Sequence, residues 1–514
     1  MTVVEAATLL REGSMGAGEL MEACLARVRS YESIYQAFNT VTRETALEQA
    51  HAIEDRAARD ETSPLTGIPL AVKDNFFTAG VLTTANSHLF KEFVPDFDAE
   101  AWARLRAAGG ILLGKTQMGP LATSRATTPD GTVTTRNAWA PGNPRISPGG
   151  SSSGSATAVA AGMALAATGT QTGGSITNPA AAQGLTGLKP TMGRVSLRGV
   201  IPLSYTRDHP GPLARDAQDV ALLLQLMAGP DPADPRTLGQ PSLPDLLTAA
   251  IPSLTTGGSP RLRWPTRIGV PPDYLQERGG EPPPEPPPDA TAEDRARYER
   301  MREARDRAGG EVQARRRMLE TFRELGADIV EVPHPTDWEV LTGGSFNNAR
   351  LPERSEMFLE HLRSDVRGFG VSLSPWINGL LLSGTEYLRG QRAKLLLLER
   401  VLGEIFSRCD VVVQTRPIPF DIIGLPLISF PIGVRESEDG ALPVGGLLGG
   451  MPWAEDRLIS MAAAFQAATD WHRRRPPEPE VAGDGIGPAA PRDGAADGEP
   501  VLRMDVLDVW DECQ

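Results

Sequence analysis

The chain has 514 residues, too long for a peptide or a small stapled module, and its 40% apolar and 23% charged residues fit an ordinary globular protein. Acidic residues outnumber basic ones by 65 to 51, and the net charge of -14 would repel polyanions, so neither nucleic acid nor membrane is expected as a partner. The cysteines, Cys24, Cys409 and Cys513, are too scattered for a disulfide framework or a CxxC metal site, which points to a reducing, cytoplasmic setting.

The N-terminal MTVVEAATLLREGS carries acids inside its apolar stretch and has no basic leader or cleavage pattern, so it reads as an amphipathic helix. From Val3 to about Arg59 apolar residues recur at helical spacing, with Leu9, Leu10, Leu20, Met21, Cys24, Leu25 and Val28 on one stripe. Gly67 to Val72 is a short apolar run bounded by turn residues, which predicts a buried strand that delivers Lys73 at its end. Asp98 caps a predicted helix through Trp102 and Leu105 that stops at Gly109, and Ile111 to Leu113 follow as a second strand. Such alternation predicts an α/β fold with helices covering a buried sheet.

Gly109 to Thr116, GGILLGKT, satisfies the P-loop expression, but a helix rather than a strand precedes it and its middle looks buried, so a nucleotide site is not expected. Among the six histidines there is no HExxH, and no metal or other cofactor is implied. His209 beside Asp208 is the one candidate for a Ser/His/Asp arrangement, against the plainer reading of a hydrogen-bonded loop histidine.

Pro148 to Pro190 is the informative stretch: an Ala-rich helix-like run lies between two serine clusters, PGGSSSGS and TGGSI. Glycines in TGGSI let backbone amides converge beside a hydroxyl, as an oxyanion hole requires, although a phosphate nest would use the same geometry. Residues 279–290, GGEPPPEPPPDA, read as an exposed polyproline insertion before a charged helix beginning near Thr291. The chain thus divides into a main domain, 1–475, and a flexible linker with an acidic C-terminal tail, 476–514.

These motifs resemble the amidase signature family of serine hydrolases. GIPLAVKDNF, GGSSSGS, TGGSI, GLKPTMGRVS and IIGLPLISFPIG follow its pattern from roughly residue 5 to 475. The resemblance implies a single large mixed β-sheet sandwiched between helical layers. It also implies a Ser-Ser-Lys triad of Lys73, Ser151 and Ser175, with a cis peptide before Ser151 and an oxyanion hole on the amides of Thr172, Gly173, Gly174 and Ser175. A serine needs a base, and Lys73 would serve only if burial lowered its pKa from about 10.4.

Two departures bear on substrate. Gln171 and Thr177 stand where most members carry an Asp and an Arg, which favours a neutral amide, with Gln171 and Thr177 lining the site. The connection Arg416 to Ile423 is shorter than usual, and Phe76, Phe77 and Met118 lie in segments that approach the site, so a roomy, open, apolar pocket is expected. The expected activity is hydrolysis of a neutral, apolar or aromatic small-molecule amide, with esters or carbamates also admissible, by a chain for which a homodimer is compatible. The rival classes are a glutaminase-type subunit of a tRNA-dependent amidotransferase and an inactive scaffold.

Overall fold

Period-two alternation decides which layer each central strand residue faces, and the strands obey it closely. The computed structural model describes residues 1–57, 63–276, 291–369 and 373–480. Eleven strands make one sheet: β1 (Phe38–Val41), β2 (Pro69–Lys73), β3 (Ile111–Thr116), β4 (Ala166–Gln171), β5 (Thr186–Lys189), β6 (His209–Ala214), β7 (Arg267–Val270), β8 (Asp328–Glu331), β9 (Val411–Val413), β10 (Leu427–Arg435) and β11 (Leu442–Gly450). Their order is β1-β3-β2-β4-β6-β5-β10-β11-β9-β7-β8. The β2 strand pairs parallel with β3 and β4, whereas β4, β6, β5, β10 and β11 run antiparallel in turn, so the sheet is mixed.

Helices cover both faces. One apolar layer combines α1 (Val3–Arg11), α4 (Glu100–Ala107), α7 (Ala217–Met227), α8 (Ala292–Glu324) and α12 (Glu455–Ala468). The other combines α2 (Ala17–Tyr35), α3 (Arg43–Ala57), α5 (Ser153–Ala160) and the start of α6 (Thr177–Gln183). In β2, Leu70 and Val72 join the first layer and Ala71 the second. By the same alternation Lys73 points toward the α5 side. Three further helices matter below: α9 (Leu351–Glu356), α10 (Gly384–Arg400) and α11 (Ile418–Ile423).

The expected α/β architecture of one mixed sheet between helical layers is what the chain adopts. The polyproline stretch 279–290 and the tail from 481 onward lie outside the described residues; α8 begins at Ala292, beside the expected Thr291. Glu478 reaches back to α2, where its carboxylate accepts from Arg27 at 2.9 Å and from the Tyr31 hydroxyl at 3.3 Å.

The P-loop-like segment is a sheet strand. Its lysine, Lys115, is fully buried and lies 3.2 Å from the Asp74 carboxylate, while donating to Phe76 O at 2.8 Å and Thr83 Oγ1 at 2.6 Å. Asp74 in turn accepts from Asn39, from the Thr84 amide and from the Thr84 hydroxyl. This pair braces the residue next to Lys73. Lys115→Met would leave a buried carboxylate uncompensated, and we expect a loss of about 3–5 kcal/mol in urea unfolding, with no effect of ATP on the Tm of the wild type.

Candidate active site

Three chain segments meet at Lys73. Its ammonium nitrogen sits 2.8 Å from Ser151 Oγ, 2.7 Å from Thr170 Oγ1 and 3.4 Å from Thr170 O. Parallel pairing of β2 with β4 supplies this meeting, and the Lys73 amide also donates to Thr168 Oγ1 at 3.0 Å. Asn75, two residues on, donates to Thr170 Oγ1 at 3.1 Å. Lys73 is fully buried and no carboxylate is hydrogen-bonded to it. Burial pushes its pKa down from 10.5 to about 7, against a weaker opposing pull from Asp208.

Ser151 enters the site from the turn before α5. The Gly150–Ser151 peptide is cis, as the resemblance implies. A Cβ on Gly150 would lie 2.5 Å from Ser124 O, so only glycine fits there. Behind the turn, α5 is buried along its whole length, which explains its small Ala, Ser and Gly residues.

Ser175 lies on the link between β4 and α6. Gly174 has φ +97°, a conformation glycine tolerates, and a Cβ there would collide with Asn178 and Pro417. Ser152 N–H donates to Ser175 O at 3.4 Å, tying the two serine turns together. The amides of Thr172, Gly173, Gly174 and Ser175 have no intramolecular acceptor among the described residues. Gly173 is exposed and Ser175 is 8% exposed, so the turn has access to solvent while Lys73 behind it has none.

Gln171 and Thr177 brace this turn from inside. Gln171 Oε1 accepts from the amides of Ile176 and Thr177, both at 2.9 Å, and from the Thr177 hydroxyl at 3.1 Å. Its Nε2 donates to Asp421 Oδ1 at 2.8 Å, and Asp421 lies 3.5 Å from Lys189. Both ends of the Gln171 amide are therefore occupied by the protein. On the other side Thr172 Oγ1 is hydrogen-bonded to Asp208, whose second oxygen accepts from the amides of Leu203 and Ser204.

Other expected features fall elsewhere. Phe76, Phe77 and Met118 are buried in the main core, with the Phe77 ring 5.0 Å from that of Phe93 and 5.3 Å from that of Phe97, so packing occupies them. The short connection after Thr415 does not leave the turn bare. It folds as α11, which sets Pro417 against Gly174 and Ile418 against Gly173. His209 is fully buried, its Nδ1 3.2 Å from Gln171 O, and burial holds it far below the usual histidine pKa. It is a neutral strand residue. Thr170, Asn75 and Asp421 carry no triad signal in the sequence, although Asn75 lies inside a quoted motif, GIPLAVKDNF; Asp208 drew notice only as the neighbour of His209 and holds Thr172 instead.

No cluster of three or more His, Cys, Asp or Glu suited to a metal occurs among the described residues. No helix among them is long and apolar enough to cross a membrane.

Comparison with known proteins bears on this geometry. The family model Amidase matches residues 19–279. A curated relative, a glutamyl-tRNA(Gln) amidotransferase subunit of Chloroflexus aggregans, is 34% identical over 93% of this chain and 98% of its own length. Among solved structures, the native peptide amidase of Stenotrophomonas maltophilia superposes with a TM-score of 0.74 at 26% identity, covering 93% of this chain and 98% of that one. A protein from a vestigial complex connected with the origins of an s-triazine catabolic enzyme gives 0.74 at 28% identity, over 91% and 98%.

These relatives overturn one expectation. Excluding nucleic acid on the net charge of -14 does not stand, because similar chains carry the name of one component of a tRNA amidotransferase. Net charge sums over the whole surface and does not decide what one face, or a companion protein, meets. Family model, relatives and fold agree: this chain belongs to the amidase signature family, hydrolases that act on carbon–nitrogen bonds.

Proposed function

We propose that the chain hydrolyses a carboxamide through an acyl-enzyme on Ser175, with Ser151 as proton relay and Lys73 as base. The observation that carries this reading is the buried Lys73 ammonium nitrogen 2.8 Å from Ser151 Oγ, with a pKa brought to about 7. With its pKa lowered that far, neutral lysine is available near pH 7 to accept a proton.

Ser151 passes the proton of Ser175 to Lys73 as Ser175 Oγ attacks the amide carbon. The negative charge that develops on the carbonyl oxygen is met by the unengaged amides of the Thr172–Ser175 turn, fixed before the reaction by Gln171 and Asp208. Lys73 returns its proton through Ser151 to the leaving nitrogen, and water then cleaves the ester by the same route in reverse. The site residues do not themselves choose an acyl group. In particular Gln171 and Thr177 report on how the turn is held, which removes the ground for a neutral, apolar substrate.

The curated relatives favour a second reading, release of ammonia from glutamine within an amidotransferase. Ammonia release from L-glutamine by the purified chain, alone and with candidate companion proteins, measured beside a panel of free amides, separates the two.

Ser175→Ala should abolish turnover and labelling by a fluorophosphonate while leaving the fold intact, and wild-type activity in that variant would remove the assignment. In Lys73→Ala, kcat/KM should fall ~100-fold or more, the scale of general-base catalysis.

Because only neutral Lys73 accepts the proton, kcat/KM of the wild type should rise with pH through an apparent pKa near 7. Below that pKa the ammonium cannot act, and above it the rate levels off. A limb that survives in Lys73→Ala would assign it to another group.

A further inference from the structure

Beyond the triad, the structure gathers buried positive charge next to the nucleophile turn. Arg207 is 4% exposed. Its Nη1 donates to Asn347 Oδ1 at 2.7 Å and to Asn347 O at 3.4 Å, but its Nε and Nη2 are buried without a hydrogen-bond partner. Arg354, on α9, is 8% exposed and likewise has a buried, unpartnered Nε. Arg350 shares the same asparagine, donating to its carbonyl and, at 3.1 Å, to its Oδ1. None of the three makes an ion pair among the described residues. Burial and mutual repulsion push Arg207 down to about 9 and Arg354 to about 10.

Most oxygens of the nearby carboxylates are committed to other donors, and only Asp421 Oδ2 among those of Glu353, Asp208 and Asp421 is buried without a hydrogen-bond partner. Glu353 accepts from the Ser204 hydroxyl, from the amide and hydroxyl of Thr206, from the Tyr387 hydroxyl and from the Gln391 amide, at 2.7–3.2 Å, all of them uncharged groups. Asp208 is taken by Thr172 and two amides, and Asp421 Oδ1 by Gln171 and Lys189. Each offers the arginines a field without a hydrogen bond. Lys394, on α10, adds a further cation, donating to Thr206 O at 2.6 Å. Guanidinium N–H groups buried without acceptors cost free energy that a fold recovers only if something else fills them.

The cluster lies close to the chemistry. Asp208 hydrogen-bonds Thr172 in the nucleophile turn, and it is also an attractive neighbour of both Arg350 and Arg354. A planar fork of N–H donors matches a carboxylate better than any neutral amide or alkyl group. We propose that Arg207, Arg350 and Arg354 form a carboxylate-recognition subsite, so that the amide cleaved at Ser175 carries an acid group elsewhere in the molecule. This rests on the reading of Ser175 as nucleophile, and it reverses the neutral preference inferred from Gln171 and Thr177. The charge that is missing from the turn is supplied from α9 and from the segment before β6.

The test uses the full chain and a matched pair of anilides, glutaryl p-nitroanilide with a terminal carboxylate and pentanoyl p-nitroanilide without one. We expect kcat/KM to favour the acidic member by ~10-fold or more, mainly through KM, with Arg354→Gln and Arg207→Gln bringing the ratio toward one. Free glutarate should inhibit competitively, whereas the neutral diamide glutaramide should not. A ratio near one in a wild type that Ser175→Ala inactivates overturns the subsite; turnover that survives in Ser175→Ala overturns the nucleophile instead. Stimulation of pentanoyl turnover by glutarate would mark the cluster as an effector site and also overturn the proposal. A second readout is independent of turnover and of the folding of Arg207→Gln: glutarate should raise the Tm of the wild type and not that of Arg354→Gln. Absence of that wild-type shift counts against the subsite.

Discussion

A single desolvated ammonium group sets the terms for the rest of the site. Lys73 ends a strand buried on both faces, so its Nζ has exchanged water for two hydroxyls and one carbonyl. Those partners are dipoles that leave most of the desolvation uncompensated, and the proton is held loosely as a result. Lys115, one strand away, makes the comparison internal. It is just as buried, but Asp74 lies 3.2 Å from it and it serves as a brace. The difference between the proposed base and a structural cation here is the presence of one carboxylate.

Delivering Lys73 and the proposed relay and nucleophile, Ser151 and Ser175, to one place requires the mixed sheet. Parallel β2 and β4 bring Lys73 beside Thr168 and Thr170, and the link after β4 carries Ser175. The buried α5 sets Ser151 between them, and small residues permit that approach: any side chain at Gly150 would run into the chain at Ser124 and Arg125. Rigid placement also explains why Ser175 reaches solvent while Lys73 does not. The turn occupies the end of a strand at an opening, and everything behind it is core.

Much of this was legible in the sequence, for a physical reason. Lys73, Ser151 and Ser175 were placed by the family resemblance, which rests on short segments whose glycines and apolar runs also specify local geometry. Period-two and helical spacing likewise exposed β2, β3 and the N-terminal helices. Thr170 and Asp421 were invisible, and Asp208 was seen only as a partner for His209, because their importance depends on pairing across β4, β6 and α11, tens or hundreds of residues apart. Side-chain direction was hidden too. Phe76, Phe77 and Met118 lie near the site in sequence yet point into the core, and a short connection that suggested an open pocket instead packs α11 onto Gly173 and Gly174.

Gln171 shows how a missing charge can mislead. A carboxylate at this position could only accept hydrogen bonds, and an adjoining arginine would have to balance it. The amide accepts and donates at once: its oxygen gathers two amides and a hydroxyl just after Ser175, while its nitrogen reaches Asp421. The negative charge has moved outward by one side chain, to Asp421, where Lys189 meets it at 3.5 Å. On the Gln171 side the turn is therefore held by neutral hydrogen bonds and balanced by an ion pair set back from it, while on the other side the Asp208 carboxylate holds Thr172. With neither a carboxylate nor an arginine in the turn itself, the electrostatics felt by a substrate pass to whatever charges surround it, and in this fold those are the arginines beside Asp208.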